Sequence, residues 1–417
     1  MGLRVLVAHK FYGDRATGGE ATVFAQEAEL LRSNGCEVTT FERSNSEILR
    51  WSTFKKATLP LRLGSSAEIY REVVDLIKEK RPEILHVHNY KYVLTPSIFK
   101  AAKDCGVKTV LTLHNYRLVC PGGQLRRGNE ICEECLRKHP ARIFWRRSCA
   151  SKISTRILQS LLYFETRKPI LTYVDAFVAL TEFSKKKFVE GGIPSERIWV
   201  KPNFVFDPTM QNVGNAGGKE NEENESKSEV AEERTRGLTE NGDRSSRKGA
   251  IFVGRLSTEK GIRFLLEAWR GLDFPLTIVG DGPEGATARR NAPPNVRFVG
   301  EKSRNEALKL VQNAQFLVFP STCYESFGMT IVEAAALGTP ALASNLGGRS
   351  ELIKDGETGA LFESANIDDF RNAASRLIRD PDFCRVLGEE ARRRYEVLYS
   401  PEKNFKMLME IYRALLL

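Results

Sequence analysis

The chain has 417 residues, 41% hydrophobic and 28% charged, with a formal net charge of +10. Those proportions are ordinary for a globular protein, and the length accommodates two or three domains. No apolar run reaches the ~20 residues that span a bilayer, which excludes a helical membrane protein, and the positive balance favours anionic partners such as nucleotide diphosphates, anionic lipid surfaces or nucleic acid.

Residues 3–8 form a near-continuous apolar run, as expected of a parallel strand covered on both faces. This start reads as a first strand rather than a signal peptide, so the expectation is a cytoplasmic protein. A loop with Gly13, Gly18 and Gly19 follows. A helix is predicted from Glu20 to Leu31, where Val23, Phe24, Ala28, Leu30 and Leu31 recur at helical spacing. Strand, glycine loop and helix together can cradle an anion. Strands are predicted at 37–41, 83–87, 107–113, 174–180 and 197–200. Residues 48–64 mix Trp51, Phe54, Leu59 and Leu61 with Arg50, Lys55, Lys56 and Arg62. They read as a surface helix-loop packed on the sheet, or as an amphipathic segment lying in a membrane interface. His88 and His114 stand where strands end, the place α/β folds reserve for ligand contacts. His86, alternating with His88, reads as core.

Residues 117–150 break the strand–helix rhythm. Cys120, Cys132, Cys135 and Cys149 could hold a structural zinc as thiolates, with His139 replacing one of them, or could be free thiols. Arg126, Arg127, Arg137, Lys138, Arg142, Arg146 and Arg147 surround Phe144 and Trp145. That mixture suits an anionic membrane surface or a polyanionic acceptor. A long helix follows at 153–173. Residues 210–249 have almost no aliphatic side chains and cannot offset the chain entropy of folding, so they read as a disordered insert.

From Ala250 the alternation resumes, with strands predicted at 250–253, 275–279, 295–299, 315–319 and 340–343. Arg255 and Lys260, in GRLSTEKG after the first of these, are long enough to reach a diphosphate. Gly254 and Gly280 mark the tight turns that end two of the strands. In FPSTCYESFGMTIVEAAALGTPALAS, residues 319–344, Glu325 lies in a loop. Phe327, Gly328, Met329 and Thr330 open a helix that carries Glu333, and its free amides suit an anion. The glycines of Leu346-Gly347-Gly348-Arg349-Ser350-Glu351 would let backbone approach a ligand closely. Residues 401–417 form an amphipathic helix with Phe405, Leu408, Ile411, Tyr412 and Leu415 on its apolar stripe.

The ordered set GRLSTEKG, IVGDGP, ESFGMTIVEA and GGRSE resembles the donor-binding half of the retaining glycosyltransferases of family four, and Glu325 and Glu333 match that family's Glu-x7-Glu spacing. The resemblance implies an α/β protein of GT-B architecture, two Rossmann-like domains facing a cleft. The acceptor domain would be 1–203, including the cysteine loop 117–150. A linker with the insert would take 204–249, the nucleotide-sugar domain 250–395, and 396–417 would cross back onto the first domain. It implies retaining transfer from a nucleotide-sugar to a glycan or lipid-linked acceptor. No convincing Asp-x-Asp metal site appears in the sequence, so catalysis is expected to need no metal, and nucleic acid is not expected as a partner. Gly18 and Gly19 would face the donor diphosphate across the cleft, and His114, in LHNY, would stand on the acceptor side. Arg255, Lys260 and the amides near Phe327, Gly328 and Met329 would neutralise the diphosphate. Glu325 would hold the sugar hydroxyls and Glu333 those of the ribose. A lipid-linked acceptor would place the protein peripherally on the inner face of an anionic membrane. A nucleotide-sugar 2-epimerase of the same fold and a zinc-stabilised nucleic-acid binder are the alternatives.

Overall fold

The computed structural model describes residues 2–13, 18–53, 63–128, 130–137, 153–210 and 247–417. Several expectations fall wholly or partly outside them: most of the 210–249 insert, residues 54–62 of the amphipathic stretch, and Cys149 with the neighbouring Phe144, Trp145, Arg146 and Arg147.

In the first half, β1 (Arg4–Phe11), β2 (Glu37–Ser44), β3 (Ile84–Val87), β4 (Lys108–Thr112), β7 (Ala176–Ala179) and β8 (Ile198–Val200) form one sheet. Its order is β2-β1-β3-β4-β7-β8, and its recorded pairings are parallel. A hairpin, β5 (Arg126–Arg127) with β6 (Glu130–Ile131), sits in the cysteine-bearing loop. The second half repeats the plan with β9 (Ala250–Val253), β10 (Leu276–Val279), β11 (Val296–Gly300), β12 (Phe316–Phe319), β13 (Ala341–Asn345) and β14 (Gly359–Glu363). Its order is β11-β10-β9-β12-β13-β14, again parallel. Val5, Leu6, Val7 and Ala8 of β1 are all buried, because helices cover both faces of the sheet. The expected strands appear to within a few residues. β14 was not anticipated: it is an edge strand whose glycine start and glutamate end blur its apolar run.

Helix starts follow local chemistry. Thr181 and Ser184 form a capping box before Glu182–Glu190, and Ser303 and Glu306 form one before Arg304–Asn313. The last helix, Pro401–Leu416, is capped by Ser400 with proline in its first turn. Its Leu408, Ile411 and Tyr412 are buried among Val5, Val7, Val110 and Val178 of the first sheet. Each such aliphatic side chain contributes roughly 1.5–3 kcal/mol by burial, which holds the chain's end on its opening domain. The crossing near Val205 is fixed by Tyr395, whose hydroxyl donates to the Val205 carbonyl at 2.8 Å.

Each sheet has one point where strand order reverses: between β1 and β3, and between β9 and β12. Loops leaving those strand ends open into a crevice that side chains or ligands must fill. The candidate site residues gather there.

Candidate active site

On the second domain, Gly280 has φ 125°, and a Cβ there would stand 2.1 Å from the Gly254 carbonyl oxygen. Only glycine lets the loops after β9 and β10 touch in this way. Arg255 follows, exposed, with its guanidinium free of hydrogen bonds and ion pairs among the described residues. A short turn, Thr258–Lys260, then carries Lys260 toward the loop after β12. Lys260 Nζ donates to Glu325 Oε1 at 2.7 Å, and the Ser321 hydroxyl donates to the same oxygen at 2.8 Å. Burial opposes charge on both partners, but each offsets that penalty for the other. The Lys260 pKa is therefore raised, and Glu325, with Arg349 also nearby, is held below the usual carboxylate range.

Gly328, with φ 149°, precedes the helix Met329–Ala336 and supplies no side-chain cap. The Ile331 amide donates to the Gly328 carbonyl at 3.0 Å, while the Met329 and Thr330 amides make no hydrogen bond among the described residues and are free for a ligand. The Phe327 side chain turns away into the core against Tyr399, so this residue can offer the site only backbone. Met329 and Thr330 are half-buried at the helix start. Glu333, a turn further in, accepts from Arg304 Nε at 3.1 Å. Burial pushes its pKa up against the pull of Arg304. Across the cleft, a Cβ on Gly19 would lie 3.8 Å from Met329 Cγ, while one on Gly18, at φ 106°, would meet open space. The first domain's glycine loop thus faces the start of this helix.

His114 lies at the other switch point, buried and stacked on His88, with His114 Nε2 3.0 Å from His88 Nδ1. The chain continues from His88 Nε2 to Glu27 Oε1 at 3.2 Å. Glu27 also receives His86 Nδ1 at 2.9 Å and Lys201 Nζ at 2.8 Å. Burial would push Glu27 up, but Lys201 and the two histidines hold it well below its ordinary value. An ionised Glu27 only accepts, so His88 Nε2 donates to it; where His88 Nδ1 accepts from His114 Nε2–H, His114 Nδ1 is left as an acceptor. Burial keeps His114 itself neutral, its pKa well below 6.5.

Sequence reasoning missed Arg304, Glu27 and Lys201. Glu27 left a signal, a carboxylate on the apolar stripe of Phe24, Ala28 and Leu31, all buried in the helix Gly19–Ser33. The glycine pair of GGRSE also lies close to the first domain. A Cβ on Gly348 would stand 2.9 Å from Thr181 Oγ1 of the first domain. Glu351 accepts from the Glu182 and Phe183 amides, each at 2.7 Å. This loop brings its backbone against the other domain and caps that domain's helix Glu182–Glu190. The cysteine-bearing loop also reaches across: Tyr324 donates to Glu133 at 3.0 Å. Among the described residues, Cys120, Cys132 and Cys135 do not come together as a three-ligand set. Cys120 bonds to Cys135 and to backbone amides nearby, which pull its pKa down to about 6 against burial.

Two domains of this kind, closed by a returning C-terminal helix around a glutamate- and glycine-lined cleft, define the GT-B class. Residues 17–206 match the family model described as Glycosyltransferase Family 4, and residues 237–394 match Glycosyl transferases group 1. An uncharacterised glycosyltransferase of Methanocaldococcus jannaschii is 31% identical over 170 residues, covering 40% of this chain and 48% of that protein. The D-rhamnosyltransferase WbpZ of Pseudomonas aeruginosa is 34% identical over 156 residues, covering 36% and 41%. The chain thus spans about half the length of the curated relatives it matches, or somewhat less. Anabaena HepE, solved in complex with UDP and glucose, shares the fold with a TM-score of 0.63 at 16% identity, over 98% of this chain and 100% of that one. The chain belongs to the group 1 glycosyltransferases, with the Glycosyltransferase Family 4 model matching its first half.

Proposed function

We propose that the protein transfers a sugar, with retention of configuration and without a catalytic metal, from a nucleotide-sugar to a glycan or lipid-linked acceptor. The observation that carries this reading is the Lys260–Glu325 pair beside an uncapped helix start that faces Gly19. A bound diphosphate would draw Lys260, Arg255 and the helix amides, leaving Glu325 to accept from sugar hydroxyls. Glu333 would do the same for the ribose while keeping Arg304. The binding of UDP and glucose by a protein of the same fold supports a nucleotide donor. Among the described residues no helix is long and apolar enough to cross a membrane. A peripheral contact with anionic lipid, through the basic segments, is the form of membrane association proposed.

The test is a thermal-shift screen over nucleoside diphosphates and their sugars, followed by NMR of the product's anomeric configuration. A ligand bound only by the folded state raises the melting temperature. Transfer with retention that EDTA leaves unchanged is expected, with nucleotide binding weakened about tenfold by Glu333→Ala, the scale of a lost charged hydrogen bond. An inverted product, or strict dependence on added Mg²⁺ or Mn²⁺, would sink the reading.

A further inference from the structure

The switch point of the first sheet holds cations that the transfer step above does not use. Lys10, next to last in β1, is fully buried, and its Nζ has no hydrogen-bond partner among the described residues. It lies 3.6 Å from the ring centroid of Tyr12. The Tyr12 hydroxyl accepts from Arg117 Nη1 at 3.0 Å and from Asn89 Nδ2 at 3.3 Å. Lys91, just beyond the end of β3, is also buried, and among the described residues its ammonium makes no hydrogen bond or ion pair. Lys91 and Arg117 line an open pocket together with His114 and Asn115. The nearby carboxylate, Glu20, already accepts from Asn89 at 2.8 Å and from Asn115 at 3.0 Å. Burial pushes Lys10 down to about 8 and Lys91 well below its ordinary value; Glu20 pulls both up, and Arg117 adds repulsion to both.

Desolvated cations without counter-ions are strongly unfavourable, and a fold keeps them where an anion arrives to pair with them. Asparagines hold Glu20, Tyr12 holds Arg117, and among the described residues neither lysine ammonium makes a hydrogen bond or ion pair; Lys91 lines a pocket at a place where α/β sheets bind ligands. We propose that this pocket binds a phosphate group of the acceptor, with Lys91 and Arg117 contacting its oxygens and the enclosed Lys10, behind Tyr12, adding positive charge nearby. The acceptor is then a phosphorylated molecule, either a sugar phosphate or a lipid phosphate. This rests on the transfer reading for the word acceptor, but the anion site stands on its own geometry.

The experiment is calorimetric titration of the full chain with inorganic phosphate, in the wild type and in Lys10→Met, Lys91→Met and Lys260→Ala. Saturable binding is expected in the wild type and in Lys260→Ala, weakened at least tenfold in both methionine variants. Without phosphate the methionine variants should melt no lower than wild type, because an unpaired buried charge has gone. Should one fail to fold, the other and Arg117→Gln give the same reading. No saturable binding in the wild type overturns the proposal. Binding lost in Lys260→Ala but kept in the methionine variants also overturns it, since phosphate would then sit with the donor. A hexose phosphate and a short prenyl diphosphate compete in separate arms. The better competitor names the source, and displacement by neither overturns the proposal. Nucleoside diphosphate binding is measured alongside: its absence defeats the transfer reading and leaves the anion site to be judged separately.

Discussion

On the second domain's side of the cleft, Glu325 and Glu333 each have a cation within 3.1 Å, Lys260 and Arg304 respectively. On the first domain's side Glu27 keeps Lys201, but burial holds His9, His86 and His114 neutral, and among the described residues the ammoniums of Lys10 and Lys91 make no hydrogen bond or ion pair. The protein's 5 histidines, at positions 9, 86, 88, 114 and 139, all lie in the first half. The second side is a set of ion pairs that a diphosphate and hydroxyls can rearrange at little cost. On the proposed reading the first side would meet its ligand with charge already desolvated. A domain that binds a dianionic donor is served by exchangeable pairs. A domain that must choose an acceptor gains discrimination from groups that are satisfied only when the right one binds.

The largest effect should come from acid. Burial lowers His9 to about 3, His86 to about 4 and His114 well below 6.5. Below pH ~6.5 the unfolded chain takes up protons that the folded chain refuses. Stability present above that pH is then lost as pH falls, at up to about 1.4 kcal/mol per pH unit for each histidine. The loss levels off for each group once its folded pKa is passed, near pH 4 for His86. Hydrogen exchange at pH 5 should show protection falling in β1, β3 and β4 before it falls in β9, β10 and β12. Equal loss in both sheets would erase the contrast between the halves.

Next in size is Glu325→Ala, expected to cut transfer by about 10³-fold while the fold and nucleotide affinity stay near wild type. That is the upper end of what a single preorganised transition-state group supplies. Full activity in this variant would remove Glu325 from the chemistry. Arg255→Ala and Lys260→Ala should each cost about 10²-fold. Lys260→Ala should be the harsher of the two, because it also strips Glu325 of its partner. Single-turnover rates with saturating donor decide this. Equal losses would mean that the ion pair matters only through its diphosphate contact.

How much was legible follows from what each residue depends on. Phe316–Phe319 and Ala250–Val253 were readable because a strand buried on both faces must be apolar throughout. Glu325 and Glu333 were readable because their spacing is local, a loop and the helix that follows. Lys201 and Glu27 were not, since they stand 174 residues apart and nothing local betrays their pairing. Arg304 lies 29 residues from Glu333 on another helix, and its sequence surroundings are those of a solvated helix start. The GGRSE glycines were read as a close approach to a ligand; their approach to Thr181 of the first domain is a tertiary fact with no local signal.

The smallest effect should come from Tyr412→Phe, and it probes the link between the halves. Tyr412 Oη stands 2.7 Å from His86 Nδ1, at the inner end of the histidine stack, and the helix bearing it follows directly from the second domain. Removing the hydroxyl leaves the phenyl ring to fill the same space, so no cavity opens. His86 Nδ1 keeps Glu27 at 2.9 Å, so the nitrogen is not left unsatisfied. The loss is then that of a net hydrogen bond, about 1 kcal/mol, which lowers Tm by about 2–4 °C for a domain of this size. Leu408→Ala on the same helix should cost more, about 2–5 kcal/mol, because it does leave a cavity. Transfer by Tyr412→Phe should stay within about twofold of wild type, since the contacts of Glu27 with His88 and Lys201 do not involve the phenol. A tenfold loss of rate with an unchanged Tm would show instead that the C-terminal helix tunes His114 through the stack. The acceptor side would then share one network with the end of the donor half.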